Sequence, residues 1–352
     1  MEGNAKITPE NTTIYIGIDV HLRTWHVTAI TKEAEIFTKG IPGKWWALEK
    51  LISHFKGHPI KAVYEAGYFG FWLHDKLIAH GIDCIVTPPS LIPKEYGNKV
   101  KTDRRDSRKL AYLLLKELLK QVYVPTEEEL FHRQVIRRRR QIIQDRVKTQ
   151  NRIKSELRFF GVDIPESPAR WTKTYVRNLK NIRFHNKWMQ ESFNKLLTEY
   201  DFFENLGEQQ TELLKMLAET DTYRERVSIL RTIPGIGTIT AMEILLELPH
   251  IERFTRADKL AAYVGLTPAQ YSSGEKIRMG HITGAGKPHL RTVLIEASWQ
   301  TIRRDRHIRS NYENIRYRTG SKRAIVAIAR KLLLCARRMI LDSRCYEKRQ
   351  VA

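Results

Sequence analysis

Cysteine is almost missing from this chain. There are three in 352 residues (Cys84, Cys335 and Cys345), an odd number with no Cys-x-x-Cys spacing. That argues against a disulfide framework or a zinc site, and it fits a reducing cytoplasm. Long apolar runs are missing too, since none reaches the ~18–20 residues needed to span a bilayer. The best stretch, Arg323 to Leu341, is interrupted by Arg330, Lys331, Arg337 and Arg338, so no membrane partner is expected. The opening MEGNAKITPE lacks the basic-then-apolar layout of a signal peptide. No internal repeat and no low-complexity tract is visible.

Acidic charge is in short supply. Sixty-one Lys and Arg face 39 Asp and Glu, leaving +22 and a pI near 9.9. Such a field favours a polyanion, nucleic acid before a membrane surface. The excess is concentrated: Phe131 to Phe160 carries +8 and Thr301 to Gln350 carries +11. A solvated helix face is the bland explanation of one such run; two in a chain of this pI point to polyanion binding. With 42% apolar residues the chain can still bury a core, and its length suggests about two or three domains.

The first 125 residues read as an α/β domain. Ile14–Asp19, Trp25–Thr31 and Glu35–Gly40 are β-rich runs too close together for intervening helices, so antiparallel hairpins are expected. An amphipathic stretch, Trp45–Phe55, follows. Lys61–Gly67 and Asp83–Thr87 are further strands flanking a helix over Phe69–His80, and Pro88-Pro89 ends the last. A periodic helix is expected from Asp103 to Gln121, with Leu110, Leu113, Leu114 and Leu118 on one side. A three-strand meander followed by alternating helix and strand is the order of a ribonuclease H-like mixed sheet. Residues 126–222 read as a helical, coiled-coil segment. One long helix runs to Phe160 along Ile136, Ile143, Val147 and Leu157; the other covers Lys187–Thr220 along Met189, Phe193, Leu196, Tyr200, Phe203, Leu213 and Leu217. Residues 223–352 read as a mostly helical domain. It holds a Gly-containing turn, a polar Gly-Ser loop from Gly265 to Gly286, and two basic closing helices, Pro288–Arg304 and Lys322–Asp342.

Four acids stand out. Asp19 ends a buried-looking strand, and Glu65 sits among apolar and small neighbours, where a lone carboxylate costs several kcal/mol. Asp103 and Asp106 are three apart, on one face of the expected helix. If strands one and four and this helix converge, four carboxylates could hold two divalent ions, and oxygen donors suit Mg²⁺. Helix capping is the competing explanation for Asp103 and Asp106. Ile233-Pro-Gly-Ile-Gly237 resembles a helix-hairpin-helix turn whose amides, at Gly235 and Gly237, face a phosphate; an ordinary connecting turn is the alternative. Ser272-Ser273-Gly274 offers hydroxyls with Lys276, Arg278, Lys287 and Arg291 nearby in sequence. By spacing alone a flexible Ser-Gly turn explains it, and no His or Lys base is legible. Arg137, Arg138, Arg139 and Arg140 are the densest basic run. Trp171, Tyr175, Tyr312 and Tyr317 offer rings for stacking on unpaired bases, against core packing as the alternative.

Taken in order, Gly17-Ile-Asp19-Val, Tyr64-Glu65-Ala-Gly67, Lys101-Thr-Asp103-Arg-Arg-Asp106-Ser, Ile233-Pro-Gly-Ile-Gly237, Gly265 to Gly274, Gly280 to Gly286 and Leu290-Arg291 resemble the DEDD transposases of insertion sequences, also called bridge-RNA-guided recombinases. The resemblance covers nearly the whole chain. It implies a RuvC-like domain whose tetrad is Asp19, Glu65, Asp103 and Asp106, holding Mg²⁺ or Mn²⁺. It also implies a coiled coil and a C-terminal transposase domain with a nucleophilic serine, Ser273, with Ser272 one residue away. Expected partners are donor and target double-stranded DNA, a structured non-coding guide RNA, and further copies of the chain as a dimer assembling to a tetramer. A cytoplasmic, nucleoid-associated protein is expected. The rivals are a Holliday-junction resolvase-like nuclease that uses water in place of the serine, and a non-catalytic nucleic-acid scaffold.

Overall fold

The computed structural model describes residues 12–93, 102–162, 171–271, 274 and 278–348. The chain forms two compact units, one ending at Thr126 and one beginning at Glu127. Among the described residues no helix is long and apolar enough to cross a membrane.

The first unit is a mixed α/β layer structure. Its elements are β1 (Ile14–Val20), β2 (Thr24–Ile30), β3 (Glu35–Pro42), α1 (Trp45–Ser53), β4 (Ile60–Glu65), α2 (Trp72–Ala79), β5 (Asp83–Thr87) and α3 (Asp103–Leu115). The sheet order is β3-β2-β1-β4-β5. The first three strands form an antiparallel meander, and β4 and β5 add in parallel. Period-two alternation divides the side chains between two faces. Ile14, Ile16, Ile18, Trp25, Val27 and Ala29 go to one face, where they pack with Leu48 of α1 and Leu73 and Leu77 of α2. On the other face Val63 meets Leu110, Leu113 and Leu114 of α3. Helix α3 stops at Leu115, short of the expected Gln121, and Leu118 is exposed. The chain turns at Glu117, in the left-handed region, and Val122 N–H donates to Val86 O. Edge pairing with β5 and burial of Val122 and Val124 outcompete further helix.

The second unit is mostly helical. Helices α4 (Glu127–Phe159), α5 (Lys173–Lys180) and α6 (Lys187–Ala218) come first, then α7 (Arg224–Arg231), α8 (Thr238–Glu247) and α9 (Ala257–Val264). Strands β6 (Pro268–Gln270) and β7 (Met279–Ile282) precede α10 (Pro288–Arg304), α11 (Arg306–Thr319) and α12 (Ser321–Leu341). Helices α4 and α6 run antiparallel, since Arg146 pairs with Glu204 while Arg152 pairs with Glu199. The seam differs from the expected line: Ile142 is buried and Val147 exposed on α4, and Leu214 is buried and Leu213 exposed on α6. A polar residue, Thr149, takes a seam position by donating to Glu199 at 2.9 Å. Ile136, Leu214 and Ala218 also enter the core of α7, α8, α10 and α12.

Two further expectations change. The Gly265–Gly286 stretch contains an antiparallel pair, β6 with β7, where a plain loop was expected. Three helices close the chain rather than two, because Asp305 caps a new one by accepting from Ile308 N–H at 2.9 Å.

Candidate active site

Parallel pairing of β1 with β4 ends at Ile18 and Tyr64. The next residues, Asp19 and Glu65, therefore leave neighbouring strands at the same level, ~4.8 Å apart in the pairing direction. Alternation puts Asp19 on the face of Gly17 and Glu65 on the face of Val63, and both of those meet α3. Helix α3 starts at this same edge. Thr102 caps it by accepting from Arg105 N–H, and Asp103 and Asp106 occupy its first turn. The four acids thus come from three elements at one end of the sheet, an acidic edge formed by the ends of β1 and β4 and the start of α3.

His21, which sequence reading missed, joins them. Its Nε2 donates to Asp19 Oδ2 at 3.1 Å and lies 3.6 Å from Asp103 Oδ1. The ligand atoms of Asp19, His21 and Asp103 all lie within 4.8 Å of one another. Their spacing carried a usable signal, since residues 19 and 21, two apart at a strand end, share a face. Burial pushes the Asp19 carboxyl above its ordinary value; His21 opposes this, and Asp103 and Asp106 add to it. A half-buried carboxylate raised by burial and by two acidic neighbours is relieved by a bound cation. Carboxylate oxygens with one imidazole and no thiolate suit a hard divalent ion, Mg²⁺ or Mn²⁺.

Beneath α3 lies a buried polar relay. Ser107 Oγ meets His26 Nδ1 and Thr28 Oγ1, each at 2.8 Å, and Thr28 meets Thr38 at 3.0 Å. Arg108 clasps Glu35 of β3 through two nitrogens, at 2.5 and 2.8 Å. Both sets fix the helix that carries Asp103 and Asp106.

In the second unit the basic candidates separate into groups. Arg137 pairs with Glu247 at 3.1 Å, Arg140 with Glu243 and Glu247, Lys287 with Glu247 at 2.8 Å, and Arg139 with Thr211 at 2.8 Å. Glu243 and Glu247 are buried on α8, one turn apart, and His289 reaches Glu243 at 3.3 Å. Sequence reading missed these two acids. Arg291 donates to Ala285 O at 3.1 Å, at the base of the hairpin. Arg138 and Arg278 are exposed. Gly235 is pressed against α10, while Gly237 caps α8 in the open. Ser272, Ser273 and Lys276 lie outside the described residues. Trp171 and Tyr175 pack in the core between α4, α5 and α6, and Tyr312 is buried, which leaves Tyr317 as the one fully exposed ring of those four.

Comparison with known proteins agrees across both units. A family model described as a transposase, of the DEDD type, matches residues 16–161. The model of the transposase IS116/IS110/IS902 family matches residues 227–313. The chain is 28% identical over 299 residues to the transposase for insertion sequence element IS1533 of Leptospira borgpetersenii, covering 82% of this chain and 85% of that protein. It is 28% identical over 251 residues to the transposase for insertion sequence element IS1111A of Coxiella burnetii, covering 68% and 66%. The pilin gene-inverting protein of Moraxella lacunata is 26% identical over 351 residues, covering 95% of this chain and 98% of that protein.

Proposed function

Because this chain belongs to the IS116/IS110/IS902 transposase family and is a DNA transposase, we propose that it cuts and rejoins donor and target DNA through a covalent link to Ser273. The reading is supported above all by one observation: Asp19 clusters with Asp103 and His21, with Asp106 in the same helical turn as Asp103 and Glu65 leaving the neighbouring strand at the level of Asp19. The strand order supports assigning the first unit to the ribonuclease H-like, RuvC-like class, in which that edge is the reactive one.

The four acids would hold Mg²⁺ or Mn²⁺. When bound, the divalent ion supplies positive charge at the phosphate and eases deprotonation of the attacking hydroxyl. Ser273 Oγ attacks the phosphorus, the P–O bond to the 3′ oxygen breaks, and a phosphoserine link forms as the 3′-hydroxyl leaves. After strand exchange a 3′-hydroxyl from the other DNA reverses the linkage, so no external energy source is needed. His21 orients the Asp19 carboxylate. Exposed basic side chains of the two Lys/Arg-rich stretches, Arg138 among them, hold nucleic-acid backbones, with Gly237 at an α8 N-terminus open to phosphate. A structured non-coding RNA selects sites by base pairing, as in other guide-RNA systems. Dimers of the chain pair as a tetramer, working in the cytoplasm on the nucleoid.

The test uses full-length protein purified with its flanking non-coding region and incubated with labelled DNA from its element's ends. The expected result is a discrete co-purifying RNA and a detergent-resistant protein–DNA adduct. Ser273→Ala removes the adduct while binding persists, and Ser272→Ala retains it. Cutting by Ser273→Ala at the wild-type rate overturns the serine mechanism in favour of a resolvase-like attack by water. Heterogeneous cellular RNA alone overturns the guide.

A further inference from the structure

Immediately beyond Glu65 the chain builds something the acidic edge does not need. Ala66 N–H donates to Thr87 O, carrying the sheet one residue further. Residues 67–70 then form a turn closed by Gly70 N–H to Gly67 O at 3.2 Å, with Gly70 at a φ of +65°. The turn is pinned from below. The hydroxyl of buried Tyr64 donates to Gly70 O at 3.1 Å and accepts from His74 N–H at 3.3 Å.

On this turn Phe69 is half-buried, edge-on to the fully buried Trp25 at 6.3 Å. Trp72, partly exposed, lies 5.9 Å from Trp25. Tyr68 rests on Phe69 at 4.5 Å and 40°, and is 73% exposed. A ring presented to water contributes little to the fold, yet this one is supported by a second ring rooted in the core. It is therefore a flat ring backed by Phe69 and open to water. Its position follows from Glu65: three residues of chain span at most ~11 Å. That is within about three nucleotides, at ~3.4 Å of rise each, of a phosphate held at the acidic edge.

We infer that Tyr68 is a stacking platform for a DNA base beside the phosphate that reacts. The inference rests on the acidic edge being the reactive site. Any base offers a π-face, so the platform holds the strand without reading its sequence. It would retain an unstacked base while strands are exchanged.

The experiment places 5-iodo-2′-deoxyuridine at successive positions within about four nucleotides of the cut. The full-length protein is irradiated on this DNA with long-wavelength ultraviolet light, and adducts are mapped by mass spectrometry. The expected adduct lies on the peptide containing Tyr68, persists in Tyr68→Phe and disappears in Tyr68→Ala. Strand cleavage by Tyr68→Ala falls about tenfold and Tyr68→Phe stays near wild type, the loss of one stacked base, with circular dichroism unchanged for both. Absence of a Tyr68 adduct at every position, or wild-type cleavage by Tyr68→Ala, overturns the platform. Asp19→Asn separates the two readings: a variant that no longer cuts yet keeps the Tyr68 adduct supports both. If Asp19→Asn still cuts, the acidic-edge reading fails, and the platform, which rests on it, is overturned with it.

Discussion

Gly17 shows how narrowly the acidic edge is built. A Cβ there would sit 2.1 Å from Ser107 O and 2.5 Å from Ala111 N, both backbone atoms of α3. No rotamer relieves a backbone clash, so Gly17→Ala must push the helix off the sheet. It is expected to lose about 3 kcal/mol by overpacking, read by urea unfolding, and to lose cleavage because Asp103 and Asp106 ride on that helix. Direct removal of a carboxylate works differently. Asp19→Asn keeps the fold and DNA binding while cleavage drops by about 100-fold or more, measured on end-labelled DNA; wild-type cleavage by this variant would sink the metal-site reading. The two turn glycines also part company. Gly235 has a φ of +101° and its Cβ would lie 2.8 Å from Ala297 O, whereas Gly237 has open space. Gly235→Ala should cost about 2–3 kcal/mol, and Gly237→Ala should leave unfolding within about 0.5 kcal/mol of wild type. A sequence motif carries both glycines with equal weight, because the need for the first arises from α10, some sixty residues away.

At the scale of elements, the buried ion cluster joins α4, α8 and the start of α10. Burial pushes Glu247 up, but the hydrogen bond from Arg137 and the charge of Lys287 outweigh it and hold the carboxyl down at about 2. Its folded value is below its unfolded value, so the stabilisation is complete above pH ~4.5 and is lost as pH falls toward 2. The contribution is about 3 kcal/mol. Unfolding free energy followed from pH 5 to pH 2.5 should fall more steeply for the wild type than for Glu247→Gln. Equal slopes would show that the cluster is not what titrates. The variant should also be weaker at neutral pH, since Arg137 and Lys287 lose their buried partner. The arginine run had suggested an exposed polyanion surface. Residues 133, 137 and 140 recur at helical spacing on the side facing α8, and only Arg138 points fully outward. Their partners lie about a hundred residues further on, beyond the reach of local pattern.

For the whole molecule the surplus of positive charge decides the choice of partner. Both basic stretches fall in the second unit, and one is partly consumed by Glu243 and Glu247 of α8. Arg303, Arg304 and Arg306 remain exposed where α10 meets α11. Replacing all three by Gln should weaken nucleic-acid binding and flatten the plot of log affinity against log salt by about 0.9 for each phosphate no longer neutralised, with the thermal midpoint unchanged. An unaltered salt slope would remove this face from the binding surface.

Composition and pattern determined much by themselves. Charge named the class of partner, the scarcity of cysteine argued against a disulfide framework, and short β-rich runs located all five strands of the first sheet. Asp19 and Glu65 stood out because an acid at the end of an apolar strand is costly unless something compensates it. Only the tertiary structure decided which residues face each other. It set His21 against Asp19 and Asp103, turned Arg137 and Arg140 onto α8 and Arg139 onto α6, ended α3 early to free an edge pairing for Val122, and stood Tyr68 on Phe69. The division has a physical basis. Local backbone preference and burial are written at spacings of two to four residues, while ion pairing, ring stacking and close backbone approach depend on distances that chain order does not contain.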